Sequence, residues 1–134
     1  IFAHREEVFT FSMHARDNYP FVKEQSDNDI ELPKGVTDKE YLSLLKATLP
    51  ALFEQHRPDF VFYQSGVDVL ESDRFGLLSL TLEGCAQRDR FVFEECQKRG
   101  IPVQCSMGGG YSPKLSIILE AHTNTFREAQ RIFY

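Results

Sequence analysis

Two short stretches of this sequence hold the side chains best suited to chemistry. Asp68 closes the stretch Gln64-Ser65-Gly66-Val67-Asp68, which follows an apolar run, and a carboxylate there can bind a divalent metal ion. The second stretch is Gly108-Gly109-Gly110-Tyr111. Its glycines allow close approach of the backbone to a ligand, and the Tyr111 hydroxyl can donate a hydrogen bond to a developing oxyanion. The structural alternatives are a loop-capping Asp68 and a half-buried core Tyr111.

The other polar candidates are less informative. A glycine run before a helix can cradle a phosphate, but the sequence has neither a Walker lysine nor GxGxxG in a first βα unit. The four histidines are His4, His14, His56 and His122, and no two have a metal-ligand spacing. Only His14, at the end of a predicted strand, is placed to line a site. Asp73 precedes Arg74 and is interpreted as structural.

Three apolar, β-branched and aromatic runs predict strands. They are Val8–Met13, Asp59–Gln64 and Ile101–Met107, and Ile30–Pro33 is a short extended piece. Asp59–Gln64 is apolar at nearly every position, which is typical of a parallel strand covered on both faces. Ala15–Asp29 is polar and is predicted to be a long surface loop of the functional kind.

Helix signals separate these strands. Thr37 and Glu40 form a capping box for a helix to His56, which Pro50 should kink or break locally. A second helix is predicted from Thr81 to Gly100, whose glycine is a good C-terminal cap. Ser112-Pro113 is expected to open the last helix, with the serine as its cap.

The alternation of strands and helices predicts an α/β fold with a parallel sheet covered by helices on both faces, as one domain over residues 1–134. In such sheets ligands bind outside the carboxyl ends of the strands. The loops that hold Asp68 and Tyr111 both follow predicted strands, so we expect them at the same edge of the sheet.

Composition narrows the class of protein. The formal net charge is −5, and without a basic stripe we expect no direct binding to nucleic acid. No apolar run is long enough to span a bilayer. Three cysteines without CxxC spacing indicate thiols in a reducing compartment, hence a cytoplasmic protein. Because the chain begins with Ile1, we expect its N-terminus to reflect cleavage, truncation or partial coverage.

Four segments together resemble a known family, the histone deacetylases, with most similarity to the bacterial and class IV branches. They are Val8–His14 (VFTFSMH), Glu31-Leu32-Pro33, Gly66–Gly84 (GVDVLESDRFGLLSLTLEG) and GGGY at Gly108–Tyr111. They occur in the family's order over essentially the whole chain, and Gly66–Gly84 is the specific part. The resemblance implies a three-layer α/β/α sandwich, the arginase/deacetylase fold, of which this chain is the C-terminal portion.

The resemblance also implies an activity, which is hydrolysis of the amide of acetyl-lysine or of a related acylated amine. Asp68 matches the later aspartate ligand of the catalytic zinc, and Tyr111 matches the tyrosine that polarises the substrate carbonyl. Tyr19 and Phe75 match positions that line the acyl-lysine channel, together with Gly109 and Gly110. Phe75 stands where Leu or Met is usual, so we expect a narrower channel.

A structural potassium ion is a further expectation of the same resemblance. Ser12 and Met13 resemble a segment whose backbone helps to hold such an ion, and Phe2, Arg5 and Val8 resemble a second potassium site. A minor departure from the family is Ser72, which replaces the usual Gly before Asp73.

The larger departure is an absence from the sequence given. The family's Asp-X-His ligand pair is expected just upstream of Ile1, and the tandem histidines of the general base and acid lie further upstream. We therefore expect this chain alone to be inactive, its full-length parent to be a deacetylase, and the N-terminal part of the same domain to complete the site. The alternatives are a noncatalytic binding or scaffold domain that has kept the fold, and a nucleotide-binding α/β domain that uses the glycine run.

Overall fold

The computed structural model describes Phe2 and residues 4–134. Four strands and three helices follow one another in the order β1, β2, α1, β3, α2, β4, α3. Their bounds are β1 Phe11–Ala15, β2 Asn28–Leu32, α1 Asp38–His56, β3 Val61–Gln64, α2 Leu82–Arg99, β4 Val103–Ser106 and α3 Leu115–Phe133.

The strands form two parallel pairs. β1 pairs with β2, with Met13 opposite Ile30, and β3 pairs with β4, with Tyr63 opposite Cys105. Within the described part of the chain these pairs are two separate two-stranded sheets, whereas the sequence predicted one parallel sheet. Each strand therefore keeps one edge that no other described strand covers, and such an edge can accept a further strand.

One apolar cluster joins both sheets to α1 and α2. It contains Ala15 and Leu32 from the first sheet, Leu45 and Phe53 from α1, and Cys96 from α2. Val61 and Tyr63 of β3 pack against it from the second sheet. A smaller cluster lies beneath the loop after β3 and consists of Val67, Leu70, Cys85 and Ala121. Burying each large aliphatic side chain in this way contributes about 1.5–3 kcal/mol.

Local helix signals were good guides to α1 and α2. Glu40 accepts hydrogen bonds from the backbone N–H and the hydroxyl of Thr37, at 3.0 and 3.1 Å, so the capping box is confirmed. α2 begins after its cap Thr81 and ends at Gly100, which has a φ of 67°. α1 continues through Pro50, so the predicted local break does not form.

Other expectations about the elements were right in kind but not in bounds, or were wrong. β1 begins at Phe11 instead of Val8, and the extended piece expected at Ile30–Pro33 is the strand β2, which begins two residues earlier. α3 begins after Lys114, because the hydroxyl of Ser112 bonds Ser72 and does not cap the helix. β3 is not covered on both faces either, since Phe62 is 81% exposed.

Within the described residues, no helix is both long and apolar enough to cross a membrane.

Candidate active site

Asp68 lies in the loop that follows β3, between two anchored residues. Val67 is fully buried, and its N–H donates to the carbonyl of Gly108 at 2.9 Å. Leu70 is buried as well, and its N–H donates to the carbonyl of Val67 at 3.2 Å. Since both neighbours point into the smaller apolar cluster, Asp68 is left exposed at the surface of the loop.

Glycines on both loops enclose the Asp68 carboxylate. A Cβ added to Gly66 would lie 2.9 Å from Asp68 Oδ1, and one added to Gly109 would lie 2.8 Å from Asp68 Cβ and Cγ. Gly109 also has a φ of 65°. No described residue donates a hydrogen bond to this carboxylate, so its oxygens are available to a ligand.

Tyr111 is held by its backbone and by one aromatic neighbour. Its N–H donates to Asp73 Oδ2 at 2.6 Å. Its ring meets the ring of Phe75 edge to face, with the centroids 5.0 Å apart. The side chain is 58% exposed, so its hydroxyl can reach a bound substrate. This corrects the alternative of a half-buried core tyrosine.

Asp73 connects the two loops, although only a structural role was predicted for it. Its Oδ1 accepts the N–H groups of Phe75 and Gly76 at 2.9 and 2.8 Å, while Oδ2 accepts Tyr111. The carboxylate makes no ion pair with Arg74 among the described residues; it bonds backbone groups instead. This role could not be predicted from the sequence, because the partner Tyr111 lies 38 residues further along the chain.

An open cleft of about 360 Å³ adjoins Asp68. The predicted site residues that line it are Ser12, Met13, His14, Tyr19 and Asp68. Tyr111, Phe75, Gly109 and Gly110 do not line this cleft. Gly109, Gly110 and Tyr111 lie on the other loop, whereas Phe75 lies on the same loop as Asp68 and packs against Tyr111. Asp68 belongs to both groups because it lies against Gly109.

A lysine side chain bonds several backbone carbonyls of the loop that carries Tyr19. Lys23 Nζ donates to the carbonyls of Arg16, Asn18 and Pro20 at 2.8, 2.6 and 2.9 Å. The ammonium thus satisfies three carbonyls that no strand ladder pairs. Tyr19 is 80% exposed, and its ring meets the ring of Phe21 edge to face at 6.2 Å.

The segments expected to hold potassium lie on and before β1. The Ser12 hydroxyl is 2.9 Å from His14 Nδ1, so this hydroxyl already has a partner. Before the strand, the N–H of Arg5 donates to the carbonyl of Phe2 and that of Val8 to the carbonyl of Arg5, each at 2.9 Å. The role of Ser12, Met13, Phe2, Arg5 and Val8 in ion binding stays a prediction.

The four histidines lie in different places. His14 lines the cleft, as its position at a strand end predicted. His56 stacks on Phe9 with the ring centroids 3.7 Å apart, and His122 lies within α3. His56 is exposed and His122 is half-buried, which fits the expectation that both are surface or packing residues. Among the described residues, no group of three or more His, Cys, Asp or Glu side chains is arranged to hold a metal ion.

The buried ion pair Arg88–Asp89 bonds the loop that carries Asp68. Asp89, which is fully buried, accepts hydrogen bonds from Tyr63, from Thr125 at 2.6 Å and from Arg88 Nε at 2.8 Å. Arg88 also donates to the carbonyl of Gly66 at 2.7 Å. Burial raises the pKa of Tyr63 well above its ordinary value, so this phenol stays protonated and donates to Asp89. Sequence reasoning missed the whole network.

The family model of the histone deacetylase domain matches residues 1–126 of this sequence. The chain belongs to the histone deacetylase family. It adopts the α/β deacetylase fold, as the resemblance of the four segments predicted, and its relatives in that family are hydrolases. Whether it falls in the bacterial or the class IV branch stays a prediction.

Three similar proteins show how far the likeness extends. An uncharacterised protein of Picosynechococcus sp. is 41% identical over 133 residues, which are 99% of this chain and 44% of that protein. Histone deacetylase 2 of Arabidopsis thaliana is 32% identical over 107 residues, 78% of this chain and 28% of that protein. The crystal structure of acetylpolyamine aminohydrolase from Burkholderia pseudomallei has a TM-score of 0.79 at 22% identity, covering 98% of this chain and 40% of that one.

The chain thus spans less than half the length of these relatives. The likeness to the aminohydrolase structure shows the fold alone. The structure brings the loops that carry Asp68 and Tyr111 into contact, and the roles of these two residues as metal ligand and oxyanion donor stay predictions.

Proposed function

We propose that the full-length parent protein is a zinc-dependent deacetylase that hydrolyses the amide of acetyl-lysine or of a related acylated amine. In this proposal the chain supplies one wall of the active site. The observation that carries it is the placement of Asp68, whose carboxylate has no partner among the described residues and lies against the loop that presents Tyr111. The family match supports the reaction class.

The donor chemistry of this wall suits zinc. Zinc in hydrolytic sites is bound by carboxylate oxygens and imidazole nitrogens, with one position left for water. The Asp68 carboxylate accepts no hydrogen bond from the described residues, so its lone pairs can bind a metal ion. When bound, zinc would supply a Lewis acid and a water activated for attack. One carboxylate is too few ligands, so the remaining ones would come from the N-terminal part of the domain.

The roles of the chain's own residues follow from their positions. Asp68 would hold the metal, confined by Gly66 and Gly109. Tyr111, exposed and fixed at its backbone, would donate its hydroxyl proton in a hydrogen bond to the oxyanion as it forms. Tyr19 and Phe75, both exposed apolar rings, would line the channel for the acyl-amine chain. The general base would lie outside this chain, so the chain alone would be inactive.

The test is an acyl-amine hydrolysis assay on the parent protein. An acetyl-lysine peptide and an acetylated diamine are offered in parallel, with acetate release as the readout. We expect hydrolysis of one or both, loss of activity after treatment with a zinc chelator, and recovery when zinc is added. Full activity of the metal-free protein would contradict zinc dependence. A zinc-loaded protein that hydrolyses neither amide would favour the noncatalytic domain instead.

A further inference from the structure

We propose that Asp73 is a positioning residue for Tyr111, and that its carboxylate sets where the tyrosine hydroxyl meets the substrate. The inference rests on the proposed function. Its basis is geometric: Asp73 is 9% exposed, and its two oxygens hold both loops of the site at once. No ion pair or ligand role accounts for this carboxylate among the described residues.

The backbone before Tyr111 does not fix the tyrosine by itself. Gly109 and Gly110 have φ values of 65° and 109°, and glycine has the widest choice of conformations of any residue. A two-glycine segment therefore needs an external contact to hold the residue that follows it. The N–H of Tyr111 makes that contact with Asp73 Oδ2 at 2.6 Å. Hydrogen bonds to an ionised carboxylate are roughly twice as strong as neutral ones.

The same carboxylate also places the aromatic neighbour of Tyr111. Oδ1 of Asp73 accepts the N–H of Phe75 at 2.9 Å, and the Phe75 ring meets the Tyr111 ring with centroids 5.0 Å apart. Asp73 thus constrains Tyr111 from two sides, through its backbone and through its ring. It acts through Tyr111 and does not itself contact the reacting atoms.

Asp73 further ties Tyr111 to the metal ligand. Its Oδ1 accepts the N–H of Gly76 at 2.8 Å, and a Cβ on Gly76 would lie 1.9 Å from the carbonyl oxygen of Asp68. The loop therefore packs against the backbone of Asp68 at Gly76, the residue whose N–H Asp73 accepts. One buried carboxylate fixes the spacing between the proposed zinc ligand and the proposed oxyanion donor.

An amide cannot replace this carboxylate. Asparagine has one acceptor oxygen and an NH₂ donor. Either the N–H groups of Phe75 and Gly76 or the N–H of Tyr111 would therefore face a second donor instead of an acceptor. Asp73→Asn keeps the size of the side chain and removes one side of the bridge. Asp73→Glu keeps both acceptor oxygens, and it should therefore retain more activity than the Asn variant.

A double-mutant cycle on the parent protein tests the inference, with kcat and KM measured for Asp73→Asn, Tyr111→Phe and the double variant. We expect Asp73→Asn to lower kcat roughly 10- to 100-fold, part of what loss of an oxyanion donor costs, with little change in KM. In the Tyr111→Phe background the same change should cost less than about threefold, because effects of residues that act as a unit are not additive. Equal losses of kcat in both backgrounds, or no loss at all, would overturn the inference.

Controls separate this inference from its alternatives. Ser72→Ala removes the neutral bond between Ser72 Oγ and Ser112 Oγ, 2.7 Å long, which crosses the same two loops. It should leave kcat within about twofold, because a single neutral hydrogen bond contributes only about 0.5–1.5 kcal/mol; a loss as large as that of Asp73→Asn would show that Asp73 has no special role. Zinc content should be unchanged in Asp73→Asn.

The outcomes for the two proposals differ. A parent protein without hydrolase activity refutes the proposed function. An active parent in which Tyr111→Phe lowers kcat but Asp73→Asn does not refutes only the positioning role. If the Asn variant does not fold, Asp73→Glu replaces it in the cycle. Its extra methylene displaces the acceptor oxygens, so it should lower kcat by a smaller factor than Asn, and by more in the wild type than in the Tyr111→Phe background; equal losses in the two backgrounds would overturn the inference.

Discussion

At the scale of single residues, Gly109 leaves no room for a side chain beside Asp68. An alanine there would place its Cβ 2.8 Å from the Asp68 side chain, at a φ of 65°. Since displacing a catalytic group by about 1 Å can cost on the order of 10²-fold in rate, Gly109→Ala should lower kcat/KM of the parent roughly 10- to 100-fold.

Gly100→Ala is the matched control for that change. Gly100 has nearly the same backbone conformation, with a φ of 67°, but nothing lies within 4 Å of a Cβ added to it. Both variants bear the left-handed strain of about 1–2 kcal/mol. Only Gly109→Ala should lose activity; equal kinetics in the two variants would show that Asp68 is not confined as described.

Tyr111 carries the second prediction at this scale. Its ring is exposed, and its position depends on its backbone N–H and on Phe75, so Tyr111→Phe should fold normally. Losing one oxyanion donor should lower kcat of the parent by roughly 10²–10³. Steady-state kinetics with an acetyl-lysine peptide measures this, and an unchanged kcat would remove Tyr111 from the mechanism.

At the scale of elements, Asp38 joins the starts of α1 and α2. It is the first residue of α1, and its carboxylate accepts the N–H and the hydroxyl of Thr81 at 2.8 and 2.7 Å. Thr81 in turn caps α2 by accepting the N–H of Gly84 at 3.0 Å. The helix that carries Arg88 and Asp89 is thereby aligned with α1.

Asp38→Ala should therefore lower the free energy of unfolding by about 1–2 kcal/mol, because two hydrogen bonds to a charged carboxylate are lost. Asp59→Ala removes the same charge from an exposed position between α1 and β3, and it should change stability by less than about 0.5 kcal/mol. Urea unfolding of the parent, followed by circular dichroism, compares the two. Equal effects would mean that the Asp38 bonds contribute nothing beyond charge.

The elements also show what local sequence can predict. Thr81 and Gly100 mark the ends of α2 correctly because capping depends on a few neighbouring residues. Ser112 has equally good capping chemistry, but its hydroxyl bonds Ser72, which is 40 residues away. Strand ends shifted for a similar reason, since a strand extends only as far as its partner pairs with it.

At the scale of the whole molecule, buried thiols make stability depend on pH. Burial raises the pKa of Cys85 and of Cys96 from 9.0 to about 11. Between these values the unfolded thiols lose their protons while the folded ones keep them, so the folded state binds more protons. Stability must then fall as pH rises from 9 to 11.

The size of this effect can be checked by substitution. Each thiol should lower the free energy of unfolding by roughly 1–3 kcal/mol as the pH rises from 9 to 11. Cys85→Ala should remove the part of this pH dependence that Cys85 contributes. Urea unfolding of the parent at pH 8, 9.5 and 11 measures it. A slope that Cys85→Ala leaves unchanged would contradict the assignment to this thiol.

Part of the candidate site could be predicted from the sequence, and part is visible only in the structure. The loops of Asp68 and Tyr111 could be brought together from the sequence because both follow strands of a parallel α/β fold. Asp73 and the pair Arg88–Asp89 could not be found that way, since their roles depend on partners such as Tyr111 and Thr125, which lie 38 and 36 residues from Asp73 and Asp89. Contacts of this kind are set by packing and leave no local pattern.

The most direct test of the central claim is the zinc content of the dialysed parent protein, measured by elemental analysis for the wild type, Asp68→Asn and Glu71→Gln. Glu71 is an exposed carboxylate in the same loop and serves as the control. We expect about one zinc per chain in the wild type and in Glu71→Gln, and none in Asp68→Asn, because a catalytic zinc has about three protein ligands and the Asn variant replaces a charged one with a neutral amide. Stoichiometric zinc in Asp68→Asn would contradict the assignment of Asp68 as a metal ligand.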